Sequence, residues 1–208
     1  MIDKDYIIKT LAFLEKELVD EILMFSLVEK FPKGSILIRE GQFIKHLPVI
    51  LNGKVKVYSQ FDGKELLLYN IKSKQSCIVS FAAASYNSPS EIYAVTDIES
   101  YILLLPTDKV KLWTGKYPRF NKLFLDLYHL RYLDLLETIN QLVFKSLDQR
   151  LYVYLKNLTI ELESETLNLR HHEIARDLGT AREVVTRTLK KLEKEQKLIQ
   201  TKNGIKLI

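Results

Sequence analysis

Apolar residues recur at helical spacing near the start of the chain. The positions, three or four residues apart with acids and lysines between them, are Leu11, Leu14, Leu18, Ile22 and Phe25. This spacing gathers apolar side chains on one helix face, so it predicts a packing helix or a pair of helices over residues 1–28. A further short helix is predicted over residues 107–115, ended by Gly115.

Between these helices the pattern changes to short apolar runs separated by turn residues. The runs cover residues 35–38, 46–51, 54–58, 65–71, 76–84, 92–95 and 99–105. Turn dipeptides such as Lys33-Gly34, Asn52-Gly53 and Asp62-Gly63 punctuate them. Short strands with turn residues at about 8–12-residue intervals are typical of a β-sandwich or barrel.

A long apolar stripe without internal Gly or Pro begins at Pro118 and continues to about Phe144. Proline suits the first turn of a helix, so this stretch is predicted as one helix, roughly 40 Å long. Polar Arg131, Asp134 and Glu137 interrupt the stripe, and such residues can set the register between paired helices. The apolar stripe of a helix this long is more than one small domain can cover, which favours pairing with a second helix. Burial of the stripe against its own N-terminal domain is the alternative.

After this helix, residues 144–148 form a candidate hinge, with Ser146 as the predicted cap of an amphipathic helix over residues 149–162. Two more short helices are predicted on either side of Gly179. Glycine suits the left-handed backbone that ends many helices. Thr180, with Glu183 three residues later, has the spacing of a capping box at the start of the second helix.

The second of these helices has one apolar stripe and one basic, polar face. The stripe holds Val185, Leu189 and Leu192, and the polar face holds Arg182, Glu183, Thr186, Arg187, Lys190 and Lys191. Two short helices around a glycine turn, the second with a basic face, are typical of a helix-turn-helix. Arg182, Glu183 and Arg187 lie near the end that reaches base edges, where Arg pairs with guanine and Glu with cytosine. An ordinary helical hairpin with a solvated charged face is the alternative.

Two apolar runs flank Asn203-Gly204 after this helix. Asn-Gly strongly favours a hairpin turn, so a two-stranded wing is predicted there.

The distribution of charge supports a nucleic-acid-binding carboxyl-terminal region. The net charge is +5, and residues 165–208 hold ten Lys or Arg against six Asp or Glu, a surplus of four. A basic module on a nearly neutral body suggests a polyanionic partner. The single cysteine excludes a disulfide within the chain and an iron–sulfur cluster bound by Cys alone, and it fits a reducing cytosol. Neither a membrane span nor a signal peptide is expected.

Several segments resemble one family of bacterial regulators. The stretch HEIARDLGTAREVVTRTLKKLEKEQKLI is similar to the winged helix-turn-helix of the catabolite-activator/FNR (CRP/FNR) superfamily, and KGSILIREGQ, ILNGKVKVY and YAVTDIESYILLLP are similar to its sensor domain. The resemblance covers nearly the whole chain. It implies an α+β fold with a cyclic-nucleotide-binding-like β jelly roll in residues 1–117, a dimerisation helix and hinge in 118–145, and a winged helix-turn-helix in 146–208.

The resemblance also implies a function and its residues. It implies a cytoplasmic, homodimeric, sequence-specific transcription regulator that is not an enzyme, with double-stranded DNA and RNA polymerase as partners and no membrane. The implied DNA-binding residues are His171, Thr180, Arg182, Glu183, Thr186, Arg187 and Lys190, of which Arg182, Glu183 and Arg187 read a half-site with a TGA-like core. The implied dimer interface contains Leu123, Leu127, Leu130 and Asp134.

The ligand positions depart from those of cyclic-nucleotide binders in this family. Such relatives carry Gly-Glu-Leu, whose Glu binds the ribose, and later Arg-Ser or Arg-Thr, whose Arg holds the cyclic phosphate. Here the two positions read Val79-Ser80-Phe81 and Ser90-Glu91. A buried phosphate needs a charged partner, so we expect that cyclic AMP and cyclic GMP do not bind.

The candidate effector pocket contains Cys77, Ser80, Phe81 and Ser90. These residues do not identify the effector. Cys77 is either a haem or metal ligand or redox thiol, as in a haem- or redox-dependent sensor, or a small buried residue on a strand. An effector-independent regulator and a protein-recruiting helix-turn-helix are further alternatives. A jelly-roll enzyme would need a His-rich ligand set, and the β region holds only His46. Neither His46 nor His129 has a partner at metal-ligand spacing.

Overall fold

The computed structural model describes residues 3–61 and 64–208. The chain forms two compact units. Unit 1 consists of the residues up to Ser59 together with Leu68–Leu135, and unit 2 consists of Gln60–Leu67 together with Leu136–Ile208. Within the described residues, no helix combines the length and the apolar character that crossing a bilayer requires.

Unit 1 begins with the predicted pair of helices, α1 (Lys4–Thr10) and α2 (Lys16–Phe25). The carboxylate of Asp3 accepts a hydrogen bond from the Tyr6 amide at 2.8 Å and so caps α1. The prediction of helix up to residue 28 was too long, because Leu27–Phe31 form strand β1. This strand pairs antiparallel with residues 100–104, so its partner, which lies far away in the sequence, determines its conformation.

Six further strands complete the jelly roll, and the predicted fold class is confirmed. They are β2 (Ile36–Ile38), β3 (His46–Asn52), β4 (Val55–Phe61), β5 (Lys64–Ile71), β6 (Tyr93–Thr96) and β7 (Ser100–Pro106). The first sheet has the order β1-β7-β3 and the second β2-β6-β4-β5. Aliphatic side chains such as Leu47, Val57 and Ile102 are fully buried in the core of unit 1. The predicted turn at Asp62-Gly63 lies outside the described residues.

The apolar run over residues 76–84 is a helix, and its assignment to the series of strands was wrong. Helix α3 covers Ile78–Tyr86 and ends at Asn87, whose φ of 52° is the left-handed conformation of a helix C-cap. The run shows no polar–apolar alternation, and its three consecutive alanines favour a helix. Cys77 is therefore the residue before a helix and not part of a strand.

Helices α4 (Thr107–Lys116) and α5 (Pro118–Phe144) follow the last strand of the jelly roll. The predicted bounds of α5 are confirmed. Phe120, Phe124 and Leu127 lie at helical spacing on its inner face and are buried in the core of unit 1. The Phe124 ring stacks on Phe81 of α3, with ring centres 3.9 Å apart. These aromatic contacts fix the first half of α5 against the jelly roll.

The carboxyl-terminal elements of unit 2 surround a second core. They are α6 (Leu147–Glu161), β8 (Thr166–Leu167), α7 (His171–Asp177), α8 (Arg182–Lys194), β9 (Leu198–Thr201) and β10 (Gly204–Leu207). Ser146 precedes α6, and its amide donates to Gln149 Oε1 at 3.1 Å, as in a capping box. The three strands form a sheet of order β8-β10-β9. Fully buried Leu151, Ile174 and Val185 come from α6, α7 and α8 respectively, so these helices share one core.

Candidate nucleic-acid interface

The turn between α7 and α8 is closed by Gly179, whose φ is +63°. The amide of Thr180 donates to the carbonyl of Ala175 at 2.9 Å, which satisfies a carbonyl at the end of α7. The prediction that Thr180 caps α8 is wrong. The capping residue is Ala181, and no side chain caps this helix end, because the return bond to Ala175 holds Thr180 in the preceding turn.

Helix α8 separates its residues into a buried and an exposed face. Val185, Leu189 and Leu192 are at most 1% exposed and pack in the core of unit 2. Arg182, Glu183, Arg187 and Lys190 are exposed on the other side. Their side chains make no hydrogen bond or ion pair with the part of the chain that the structure describes. The charged face is therefore held by a rigid helix, and its head groups are available to an external partner.

Lys191 has a different environment from its neighbour Lys190. Its ammonium lies 2.8 Å from Asp148 Oδ2, at the start of α6, and 3.8 Å from Glu195. The bond from Lys191 and a second one from Ser146 hold the pKa of the Asp148 carboxyl well below its usual range, and the carboxylate raises the pKa of Lys191. Lys191 thus links α8 to α6 within unit 2.

Two of the sequence-predicted DNA-binding residues bond to each other. His171 Nδ1 and Thr186 Oγ1 lie 2.9 Å apart, and the threonine hydroxyl also donates to the Arg182 carbonyl at 3.0 Å. Which of the two side chains donates in the first bond depends on the histidine tautomer. The pair connects the first turn of α7 to the polar face of α8 and so adds a polar contact to the core that the two helices share.

The predicted wing is present as the hairpin of β9 and β10 and is bonded to α8. Glu193 accepts bonds from the backbone and the side-chain amide of Gln200, at 2.8 and 2.9 Å, and these bonds lower the pKa of its carboxyl. Gly204 has a φ of +134°, and a Cβ there would lie 2.4 Å from the Leu167 carbonyl oxygen. Glycine at this position is therefore required by the close approach of β8 as well as by the turn.

The four candidate effector residues lie in unit 1 and are largely closed to solvent. Cys77, Ser80 and Ser90 are 0%, 0% and 2% exposed. The Cys77 thiol lies 3.6 Å from the Tyr69 hydroxyl, and Ser90 Oγ donates to the Ile92 carbonyl at 3.1 Å. Phe81 is half-buried against Phe124. Core packing thus accounts for these side chains, and Ser80 Oγ is the one buried hydroxyl among the four without a partner in the described residues.

The predicted dimer residues divide between the core and the surface of α5. Leu127 is only 5% exposed, and Leu123 packs against the same core, so both face unit 1 itself. Asp134 bonds to Arg131 at 2.5 Å, and the Arg131 guanidinium lies 4.4 Å from the centre of the Tyr69 ring. Leu130 is 36% exposed.

The sequence interpretation overlooked the large apolar side chains on the outer face of α5. Leu125, Tyr132 and Ile139 are 61%, 58% and 44% exposed and lie seven residues apart. Tyr128 and Leu135, three residues after the first two, are 43% and 51% exposed. This spacing of alternating three and four is the a/d repeat of a coiled coil. A heptad count over residues 118–144 could have detected it.

Two family models match the sequence. Residues 28–112 match the cyclic nucleotide-binding domain, and residues 149–208 match the Crp-like helix-turn-helix domain. A comparison with curated proteins gave no match.

Solved structures of similar fold cover nearly the whole chain. One is a protein from Eubacterium rectale described as a transcriptional regulator of the crp/fnr family, with 22% identity, a TM-score of 0.86, and coverage of 98% of this chain and 94% of that chain. Another is the c-di-GMP responsive global regulator CLP of Xanthomonas campestris, with 21% identity, a TM-score of 0.82, and coverage of 93% and 99%. A variant of CooA from Carboxydothermus hydrogenoformans has 20% identity, a TM-score of 0.70, and coverage of 97% and 90%.

Proposed function

Because this chain belongs to the CRP/FNR superfamily of transcription regulators, we propose that it acts as a homodimer that reads an imperfect DNA palindrome with the exposed face of α8. The observation that carries the proposal is the division of α8 between a fully buried apolar stripe and an exposed face. On this face the side chains of four charged residues have no partner among the described residues, namely Arg182, Glu183, Arg187 and Lys190. Free charged groups on a rigid helix are suited to base and phosphate contacts, since no internal bond has to break first.

The exposed residues take different roles in this proposal. Arg182, Glu183 and Arg187 contact base edges in the major groove, because they lie in the first half of α8. Lys190 lies further along the same face and contacts backbone phosphate. The hydrogen-bonded pair of His171 and Thr186 positions α8 and lies beside the DNA sugar–phosphate backbone. Thr180, in the turn before α8, lies beside the same backbone.

The second part of the proposal is a parallel pairing of two α5 helices through the outer stripe of Leu125, Tyr128, Tyr132, Leu135 and Ile139. A row of large, exposed apolar side chains along one helix suggests an interaction surface. The a/d spacing suits a two-fold pairing in which each residue meets its own counterpart or a near neighbour. Leu127 is left out of this interface because it is buried in the core of unit 1.

The third part is that unit 1 serves as the sensor and does not take a cyclic nucleotide. The resemblance places the Glu of the family's cyclic-nucleotide binders at Ser80 and their Arg near Ser90, and both serines are buried. Neither serine can neutralise a phosphate, and Glu91 beside them would repel it.

The proposal is tested by selecting binding sites from random duplex DNA with the purified full-length protein. We expect enrichment of an imperfect palindrome whose half-sites lie about 34 Å apart, one helical turn. Replacement of Arg182 or Glu183 by Ala should remove the preference at one base pair in each half-site. Lys111→Ala is a matched control, because this exposed lysine lies on α4 in unit 1 and its loss also lowers the charge by one. Enrichment of sequences without two-fold symmetry, or equal binding to all duplexes, would overturn the proposal.

A further inference from the structure

The segment Gln60–Leu67 belongs to unit 2, although it lies far in sequence from the helices of that unit. Within unit 2 its Glu65 carboxylate approaches α7. Glu65 Oε2 lies 3.9 Å from Arg176 Nε, and Gln60 Nε2 donates to Glu65 Oε1 at 2.8 Å. One carboxylate oxygen thus accepts a bond from Gln60 of the same segment, and the other lies near Arg176 of α7.

An apolar contact beside Glu65 seats the same segment against the turn of the helix-turn-helix. A Cβ built at Gly179 would lie 3.1 Å from Leu66 Cδ1 and 3.7 Å from the Glu65 carbonyl oxygen. The Leu66 side chain therefore packs directly against the α7–α8 turn at Gly179. Leu66 thus packs the segment against the turn, and Glu65 brings a negative charge close to α7.

The groove beside this contact contains groups that suit a phosphate. It has a volume of about 330 Å³ and is lined by His172, Arg176, Thr180 and Arg182 from the helix-turn-helix, with Gln60 and Glu65 on the other side. Thr180 and Arg182 also belong to the proposed DNA-binding set. Arginine and hydroxyl groups are the usual partners of DNA phosphates. In this groove, however, the negatively charged group beside them is the Glu65 carboxylate of the protein itself.

Given the DNA-binding function proposed above, we propose that the Glu65 carboxylate occupies a site at which Arg176, His172 and Thr180 would bind a DNA phosphate. Glu65 therefore competes with DNA for this site. The site adds a backbone contact on α7 to the contacts proposed for α8. DNA binding at this site requires displacement of the carboxylate, because Glu65 and a phosphate would repel each other within the same groove. The contact thus lowers the affinity of unit 2 for any duplex.

A purely stabilising ion pair accounts less well for this arrangement. Arg176 also lies 3.9 Å from Asp177, a carboxylate that is 1% exposed and bonded to the Tyr154 hydroxyl at 2.9 Å. Arg176 thus has a buried acidic neighbour without Glu65. The Arg176 and Glu65 side chains are 35% and 24% exposed, and an ion pair near the surface contributes little to folding stability, so the main effect of Glu65 is expected on DNA binding.

The experiment compares full-length wild type with Glu65→Gln, Leu66→Ala, Arg176→Gln and the double variant Glu65→Gln/Arg176→Gln. Binding to the selected palindrome and to an unrelated duplex is measured by fluorescence anisotropy at several salt concentrations. Glu65→Gln keeps the shape and the acceptor for Gln60 and removes only the charge. We expect it to bind both duplexes about two- to fivefold more tightly. Leu66→Ala, which loosens the segment without changing charge, should act in the same direction.

Arg176→Gln should weaken binding to both duplexes and lower the slope of log K against log salt by about one phosphate contact. In the Arg176→Gln background the gain from Glu65→Gln should disappear, because the two residues act through the same site. Glu99→Gln is the matched control, since Glu99 is an exposed acid paired with Lys30 in unit 1, and it should leave DNA binding unchanged.

Three results would overturn the inference. Unchanged or weaker binding by Glu65→Gln would mean that the carboxylate does not compete with DNA. Weaker binding by Leu66→Ala would mean that the segment supports a DNA-competent shape. A full gain from Glu65→Gln in the Arg176→Gln background would place the effect elsewhere. If neither wild type nor any variant preferred the palindrome over the unrelated duplex, the proposed function itself would be contradicted.

Discussion

At the scale of single residues, the partners of a side chain separate roles that the charge alone does not. Lys190 and Lys191 are neighbours of the same type, and both were expected on the polar face of α8. Lys191 is bonded to Asp148, whereas Lys190 has no partner in the described residues. Sequence cannot distinguish them, because Asp148 lies 43 residues away and becomes a neighbour only when α6 and α8 pack.

The roles proposed for Arg187 and Lys190 predict different changes in binding. Arg187→Ala should cost about 1–3 kcal/mol on the palindrome and relax the preference at one base pair. Lys190→Ala should weaken all sequences alike and lower the salt slope by about one ion. Both variants are measured on the palindrome, on its single-base variants and on unrelated DNA. Equal weakening by Arg187→Ala on every sequence, with altered base preference in Lys190→Ala, would mean that α8 is wrongly placed in the groove.

A pH-dependent contribution to stability is expected from Glu21 on α2. Bonds donated by Lys116, Tyr117 and Trp113, at 2.7, 2.6 and 2.6 Å, lower the pKa of its carboxyl to about 2. A lowered pKa means that folding favours the carboxylate, so the contribution is complete above the unfolded value of 4.5 and disappears as the pH falls towards about 2.

The test compares the melting temperatures of wild type and Glu21→Gln between pH 6 and pH 3. The difference between them should be constant at the upper end and shrink below about pH 4.5. Trp113 is the only tryptophan and bonds directly to Glu21, so its fluorescence reports the transition. Glu17→Gln, an exposed change on the same helix, serves as the control. A difference that does not change with pH would show that the Glu21 bonds do not favour the ionised form.

At the scale of helices and strands, the sequence was sufficient wherever one continuous local pattern determined the element. The bounds of α5 followed from an unbroken stripe between Pro118 and Phe144, and the wing from Asn203-Gly204. The misassigned elements depend on distant partners or on competing local bonds. Strand β1 forms because β7 pairs with it, and Thr180 does not cap α8 because its amide bonds back to Ala175.

The inner and outer faces of α5 predict opposite effects of the same substitution. Leu125→Glu with Tyr132→Glu should give monomers with weak DNA binding, because both changes place charge within the outer stripe. Leu127→Glu should instead destabilise unit 1, since it buries a charge in the core. Asn140→Glu adds one such charge at an exposed position beside the stripe and should leave the dimer intact. Mass by light scattering and melting temperature separate these outcomes, and an unchanged dimer in the double variant would exclude the outer stripe as the interface.

At the scale of the whole molecule, the fold is that of the superfamily, whereas Ser80 and Ser90 occupy the region where its charged nucleotide-binding groups were expected. The jelly roll and the winged helix-turn-helix are both present. The placement of Arg182, Glu183 and Arg187 on one exposed helix face was predictable from the sequence, because one regular helix with a single apolar stripe carries all three. The sensor residues were less predictable. Their environment is set by contacts among α3, α5 and β5, such as Phe81 with Phe124 and Cys77 with Tyr69.

The absence of charged side chains at Ser80 and Ser90 predicts that cyclic AMP and cyclic GMP do not bind. Titration calorimetry of the full-length protein should show no binding heat with either nucleotide, because no cationic side chain replaces the family's arginine at Ser90. A known cyclic-nucleotide-binding regulator in the same buffer is the positive control. Micromolar affinity for either nucleotide would contradict the prediction and would point to a basic residue from elsewhere in unit 1.

The membership of Gln60–Leu67 in unit 2 matters for anyone who trims this protein to its carboxyl-terminal domain. A fragment cut at Ser146, where sequence alone places the boundary, retains the whole second core but loses Leu66 and Glu65. The Gly179 turn of the fragment would lose its contact with Leu66, and Arg176 would keep Asp177 but lose Glu65 as a neighbour. If Glu65 competes with DNA as proposed, such a fragment would bind a DNA half-site more tightly than the same domain does in the intact chain, and its binding constant could not be transferred.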